Sequence, residues 1–152
     1  MSQRSGSEHF LKPNAFERAM NKTVGLLARL GIGPRYLHQL RVKGRRSGKV
    51  YTTPVNLLEL NGHRYLVGGR GHSTWSKNVS AVGNVTLVRG TIAKAYRAVS
   101  IPDESKPKIL KAYLEEYRNT VQRFFSVPAG SPLEAFRVIA QQHPVFELLP
   151  KD

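Results

Sequence analysis

Between residues 50 and 100 the chain repeats one pattern: a β-rich run, a glycine or asparagine turn, then a second run. Asn61-Gly62 is the pair best suited to a type I′ hairpin turn, in which both central residues need positive φ. It joins residues 50–60 to a return strand over 63–68. Gly90 joins 85–89 to 91–100 in the same way, and Gly83-Asn84 turns the chain into that second hairpin. Residues 36–43 and 145–149 read as further strands. Consecutive hairpins impose antiparallel pairing. The strand–helix–strand rhythm of a dinucleotide-binding sheet is missing. The expected class is therefore α+β, a small curled antiparallel barrel with helices at its periphery. Pro54 has no N–H to give a sheet partner, so its run belongs at an edge or a bulge.

Helices are expected on either side of this β region. Asn14 with Glu17 three residues later makes an N-terminal cap, and Gly31, Gly33 and Pro34 end the helix that follows. Phe16, Met20, Val24, Leu27 and Leu30 share one face of it, while Arg18, Lys22 and Arg29 mark the rest. Such a face either packs on the core or lies on an anionic membrane surface. Ser73 caps a short helix running through Trp75 to about Val82. Pro102-Asp103 opens a helix that passes Tyr113 and Tyr117 towards Phe125. Ser131-Pro132-Leu133-Glu134 reads as a second capping box, with a helix reaching Gln142 before His143-Pro144 stops it. Residues 1–13 read as a mobile tail, and 14–152 as one domain.

Chemistry is bounded first by what is missing. The sequence has no cysteine, so disulfides, thiolate metal sites and a cysteine nucleophile are excluded. His9, His38, His63, His72 and His143 show no metal-ligand spacing. No run is long and apolar enough to span a bilayer, and the N-terminus lacks the apolar centre of a signal peptide, which points to a cytoplasmic protein. The net charge is +14, from 24 basic and 10 acidic residues. A field of that sign attracts polyanions, whether nucleic acid, anionic lipid or a phosphorylated cofactor.

Local patterns narrow the choice. Lys43-Gly44-Arg45-Arg46-Ser47-Gly48-Lys49 offers cations, a hydroxyl and glycines whose N–H groups could receive phosphate. As a P-loop it fails: its glycines are one residue too close, and Val50 stands where a magnesium-binding hydroxyl belongs. The alternative is a solvated hairpin tip. Gly68-Gly69-Arg70-Gly71-His72-Ser73 lets a flat ligand approach the backbone ahead of a helix N-terminus, or is a structural turn. Trp75 and Asn78 share a helix face, as do Tyr113 and Tyr117. The tyrosines are either aromatic core or a phenolic proton donor. The basic loop is not interleaved with aromatics, which disfavours a single-strand nucleic-acid module. With no hydrolase elbow, zinc-protease motif or carboxylate pair, an enzyme of this kind takes its chemistry from a cofactor.

In order and spacing these segments resemble the deazaflavin (F420)-dependent nitroreductase family, within the split β-barrel oxidoreductases of flavins and deazaflavins. The resemblance runs through residues 44–49, Thr52-Thr53-Pro54-Val55, 64–67, Gly69-Arg70-Gly71-His72 and Trp75-Ser76-Lys77-Asn78. It continues in Ala112-Tyr113-Leu114 and in His143-Pro144-Val145-Phe146-Glu147-Leu148. It implies an FMN-binding-like split antiparallel barrel with flanking helices, and F420 as cofactor with FMN as the alternative. The cofactor's phosphodiester and polyglutamate tail would meet Lys43, Arg45, Arg46, Ser47, Gly48 and Lys49. Thr53 and Pro54 would lie beneath the ring system. Gly69, Arg70 and Gly71 would face it through backbone N–H groups, with Trp75 and Asn78 bracing that loop. Tyr113 or Tyr117 would be the catalytic proton donor. Hydride would pass to a quinone, activated alkene, nitro or lipid-like acceptor, a small and apolar molecule. The segment 70–74 is shorter than in many relatives, which carry a His-Pro-Ala before the tryptophan. The first helix would close over substrate or attach the protein peripherally to the inner membrane surface. A monomer or homodimer with no specific nucleic-acid partner is expected, and a non-catalytic lipid or cofactor binder is the competing reading.

Overall fold

The structure is a computed structural model that describes residues 10–151. The tail expected over 1–13 lies outside the described residues up to residue 9. Residues 10–13, however, are tied down: Phe10 bridges Gly71, and the Leu11 N–H donates to Arg70 O at 2.7 Å.

Seven strands form one antiparallel sheet. They are β1 (Leu37–Lys43), β2 (Val50–Asn56), β3 (Leu58–Leu60), β4 (His63–Val67), β5 (Asn84–Arg89), β6 (Ile92–Ser100) and β7 (Val145–Pro150). Their order is β2-β1-β5-β6-β7-β4-β3. The run expected as one strand over 50–60 divides at Leu57, whose N–H donates to Tyr36 O at 2.9 Å. Its first half pairs with β1 and its second half with β4. One stretch of chain thus supplies both edges of the sheet and curls it into a split barrel. Pro54 accordingly sits in an edge strand. Asn61 and Gly62, with φ of 53° and 82°, make the expected turn between β3 and β4.

Side-chain alternation builds two cores from this sheet. Leu40, Leu66, Leu87 and Phe146 point into the barrel, where Val79 of α2 (Thr74–Val82) plugs the interior. Leu58, Val67 and Val145 point outward and are covered by Leu110, Leu114 and Phe136 of α3 (Pro107–Val121) and α4 (Leu133–Ile139). Each such side chain contributes about 1.5–3 kcal/mol on full burial.

The helices depart from expectation in two places and settle an open choice in a third. The span 102–125 is not one helix: a 3-10 turn (Asp103–Ser105) precedes α3, which starts at Pro107, where a missing N–H costs nothing. The box at Ser131 does not form, because Ser131 Oγ donates to Pro128 O at 2.6 Å and Pro132 takes the cap position. The third bears on function. The first helix, α1 (Ala15–Arg29), has its capping box, with Glu17 N donating to Asn14 Oδ1 at 2.8 Å and Asn14 N to Glu17 Oε1 at 3.1 Å. It does not bury the face of Phe16, Met20, Leu27 and Leu30. It buries Gly25 and Ala28 instead, small enough to let the helix lie close on Pro54 and Gly90. Phe16 is left 73% exposed and Leu30 58%.

Candidate active site

A cavity of about 570 Å³ opens between α1, the end of β2, the turn after β4 and the C-terminal end of α3. Thr53, Pro54, Gly69, Arg70, Gly71, Trp75 and Tyr113 all line it, so residues scattered over half the sequence converge on one space.

The turn over 68–71 forms the floor and has little freedom. Gly68 N donates to Pro144 O at 2.8 Å, and His143 Nδ1 lies 3.0 Å from Gly68 O. His143 is fully buried and stacks on Phe125 with ring centroids 4.3 Å apart, giving the turn a rigid support. A Cβ on Gly68 would meet Pro144 Cγ at 2.6 Å, so this position must be glycine. Gly69 has no such clash; its nearest neighbours are the Tyr113 and Phe125 rings at 3.7 and 3.8 Å. The N–H groups of Gly69 and Gly71 already donate to Val67 O and Gly68 O. Of the N–H groups expected to face a ligand, those of Gly69 and Gly71 are thus engaged within the turn, and Gly69 presents a surface bare of side chain to the cavity.

Tyr113 stands over Gly69. It is buried, and burial pushes its hydroxyl up to about 12, against a smaller downward pull from a hydrogen bond with the Asn56 side chain. It is therefore protonated at neutral pH. Tyr117, its helical neighbour, does not line the cavity. Its O–H donates to Leu57 O at 2.6 Å, and burial raises its pKa further. Of the two tyrosines, the structure brings only Tyr113 to the cavity. Asn56, which supports it, carried no signal in the sequence beyond its place at the end of a strand.

The rim near α1 holds a charged cluster invisible to local patterns. Glu17 accepts from Arg123 Nη1 at 2.8 Å and from Arg70 Nη2 at 3.4 Å. Both guanidinium groups also lie over the Phe124 ring, at 4.6 and 4.2 Å from its centre. The Glu17 carboxyl is held below its ordinary range, first by the Asn14 N–H and then by the two arginines. The capping glutamate of α1 thus also bonds the glycine turn and the segment after α3.

The basic loop is the tip of the β1–β2 hairpin. Gly44 is buried, and a Cβ there would come within 2.6 Å of the Tyr51 ring. The N–H groups of Gly44 and Gly48 donate to Lys49 O and Gly44 O, and those of Arg45 and Lys49 to Asn78 Oδ1 and Ser47 Oγ. Four of the backbone N–H groups expected to form a phosphate cradle are thus engaged within the protein. Anion-binding capacity here belongs to the exposed side chains of Lys43, Arg45, Arg46 and Lys49. Asn78 does not brace the glycine turn. Its side chain grips Arg45 instead.

A family model described as F420H(2)-dependent quinone reductase matches residues 14–126. The chain belongs to that family. It is an oxidoreductase, and its cofactor is the deazaflavin F420. Comparison with solved structures establishes the split-barrel fold. An F420-H2 dependent reductase (FDR-A) is 23% identical with a TM-score of 0.51, over 75% of this chain and 94% of that one. A structure described as a domain-swapped dimer is 21% identical at 0.53, over 88% and 92%. A pyridoxamine 5′-phosphate oxidase-like protein from Listeria innocua is 13% identical at 0.51, over 78% and 86%. No curated protein sequence matches. The residues of this F420-dependent oxidoreductase suit the group: a bare glycine floor in a cavity for a flat ring, and exposed cations for an anionic tail. Among the described residues no cluster could hold a metal ion, and no helix is long and apolar enough to cross a membrane.

Proposed function

We propose that this oxidoreductase reduces quinone-like acceptors, which are flat, apolar and conjugated to carbonyl groups. When bound, F420 in its reduced form supplies the hydride. The protein supplies position, a largely apolar wall and a hydrogen-bond donor. Thr53, Pro54 and Gly69 bound the floor, and Val24, Leu27 and Trp75 bound the sides. The cations Arg45, Arg46 and Lys49 attract the anionic tail outside the cavity.

The observation that carries this reading is the Tyr113 hydroxyl beside Gly69, kept protonated inside the cavity. Hydride addition to a quinone leaves negative charge on a carbonyl oxygen. A phenol with its pKa pushed up to about 12 is too weak an acid to surrender its proton to such an oxygen. Its role is to donate a hydrogen bond to the charge as it develops, and the proton comes from solvent. Oxidation of reduced F420, followed by the return of its visible absorbance, tests this with a soluble naphthoquinone, a nitroaromatic and an enone. Turnover of the quinone above the protein-free rate is expected. Turnover of only the nitroaromatic or the enone changes the acceptor, and turnover of none removes the assignment.

The exposed face of α1 supports a second element of the reading. Phe16, Met20, Leu26 and Leu30 lie in the open, flanked by Arg18, Lys22 and Arg29, and Leu27 both joins this face and lines the cavity. An apolar stripe with a basic border suits the surface of an anionic bilayer, in which apolar acceptors dissolve. Peripheral membrane contact through α1 is proposed on that ground. A second copy of the chain is the competing occupant of the same face.

A further inference from the structure

We infer that Asn78 is a positioning residue: it fixes Arg45 for the anionic portion of the coenzyme and ties the basic loop to the wall of the ring cavity. The inference rests on the reductase reading above and extends it to how the two halves of one ligand are held in register.

A single oxygen makes the connection. Asn78 Oδ1 accepts from the backbone N–H of Arg45 at 3.1 Å and from Arg45 Nη1 at 2.7 Å. Asn78 is only 2% exposed, so the accepting end of both bonds is sheltered from water, whereas residues 45–49 of the hairpin tip are exposed. Without this grip, Arg45 would be one more mobile cation on an exposed loop, losing side-chain entropy each time it met an anion. With it, that cost is met in folding. The guanidinium has five N–H donors and commits one to Asn78, so it retains donors for an anionic partner.

The other end of the connection is the cavity. Asn78 lies on α2 one turn beyond Trp75, which lines the cavity, and α2 begins at Ser73, which also lines it. Val79, fully buried, anchors the same helix inside the barrel. A short anchored helix thus carries a cavity wall in its first turn and the hold on Arg45 one turn later. The residue type is also informative. A neutral amide oxygen can accept both N–H groups and leave the arginine its full charge. A carboxylate at this position would accept them equally well and cancel the charge that the tail is to meet.

The test uses the full chain and two fluorescent probes: complete F420, and its ring-ribityl fragment without the phosphate or glutamates. N78A is expected to weaken F420 binding roughly tenfold, the worth of a sheltered charge-assisted hydrogen bond, and to leave fragment binding within about twofold of wild type. N78D, nearly identical in shape, is expected to weaken F420 binding as well and spare the fragment, with its deficit shrinking as salt is raised. It carries the test alone if N78A fails to fold. Equal loss for both probes would make Asn78 a merely structural residue, and unchanged F420 binding in both variants would remove its role; either overturns the inference while leaving the reductase intact. Failure of the wild-type chain to bind F420 overturns both.

Discussion

The carboxylate of Glu17 lies 2.8 Å from Arg123 Nη1, joining the first turn of α1 to the segment that follows α3 across the mouth of the cavity. Arg70 of the glycine turn shares the same carboxylate. Glu17→Gln retains an N3 residue suited to the capping box while removing the charge. The expected outcome is an intact helix by circular dichroism and faster release of bound F420 in stopped flow, since α1 is no longer latched. The pH dependence has a definite sign. Because the folded pKa of Glu17 lies below 4.5, its contribution to stability is present above that value and fades as pH falls through the folded pKa. Unfolding curves of wild type and E17Q should therefore differ at neutral pH and converge in acid.

Tyr113→Phe and Tyr117→Phe should separate catalysis from structure. Losing the hydroxyl on the cavity wall is expected to lower kcat by about 10²–10³-fold, the range for one preorganised hydrogen-bond donor. Losing the Tyr117 bond to Leu57 O should cost about 1 kcal/mol of stability with kcat nearly unchanged. With its pKa raised to about 12, Tyr113 contributes no ionisation limb to the rate profile between pH 6 and 9. Its effect on stability has the opposite sign to that of Glu17. The advantage of the neutral buried phenol is complete below the unfolded value near 10 and is lost as pH rises towards 12. Alkaline unfolding compared between wild type and Y113F measures this directly.

These contrasts show what the sequence could and could not reveal. The hairpins around Asn61-Gly62 and Gly90, the cap at Asn14 and the edge position of Pro54 are local consequences of backbone chemistry, and all were legible. So was the convergence of Thr53, Gly69 and Trp75, because their order matches a known family. The division of 50–60 at Leu57 was not legible, since only the closure of the barrel distinguishes one long strand from two short edges. Glu17 could be read as a cap, but its arginine partners lie more than fifty residues away and follow no period. The choice between a core-packed and an exposed α1 face was not legible for a related reason. A periodic apolar stripe signals burial only when larger side chains win the contact, and here Gly25 and Ala28 win it by allowing closer approach.

The cations of the hairpin tip should act chiefly on F420 binding. Arg45→Ala and Lys49→Ala are each expected to weaken F420 binding by about 1–3 kcal/mol, through lost charge-assisted bonds to the tail. Lys49 is exposed, so K49A should barely move thermal stability, whereas R45A also loses the 2.7 Å bond from Arg45 Nη1 to Asn78 and should cost about 1 kcal/mol. Fluorescence titration at two salt concentrations checks the assignment. Unchanged dissociation constants for both variants would place the tail elsewhere.

Bilayer contact through α1 predicts a defined lipid dependence. Co-sedimentation with vesicles containing anionic phospholipid should exceed that with neutral vesicles, because Arg18, Lys22 and Arg29 border the apolar face. Phe16→Glu with Leu30→Glu should abolish it, since both side chains are exposed and their replacement leaves the packing of Gly25 and Ala28 intact. Light scattering on the same samples identifies the competing arrangement. A dimer that the double variant converts to monomer, with no vesicle binding by wild type, would assign the face to a second copy.

Two adjacent glycines should respond in opposite ways to the same change. At Gly68 an added methyl would meet Pro144 Cγ at 2.6 Å and Gly71 O at 2.8 Å. Neither can move freely, because Gly68 N is bonded to Pro144 O and Gly71 N to Gly68 O. Gly68→Ala should therefore destabilise the protein by about 1–3 kcal/mol, the usual cost of overpacking, with a clear fall in Tm. At Gly69 the methyl would find its nearest neighbours at 3.7 Å, an ordinary contact, so Gly69→Ala should fold with nearly the wild-type Tm. It would nevertheless add a methyl to the one part of the cavity floor that is bare of side chains. If a flat ring rests there, G69A should weaken both F420 and its ring-ribityl fragment to a similar degree, unlike variants of the basic loop, which should affect only the complete coenzyme. A G69A protein that binds the fragment as wild type does would move the ring off this floor and reopen the choice of wall.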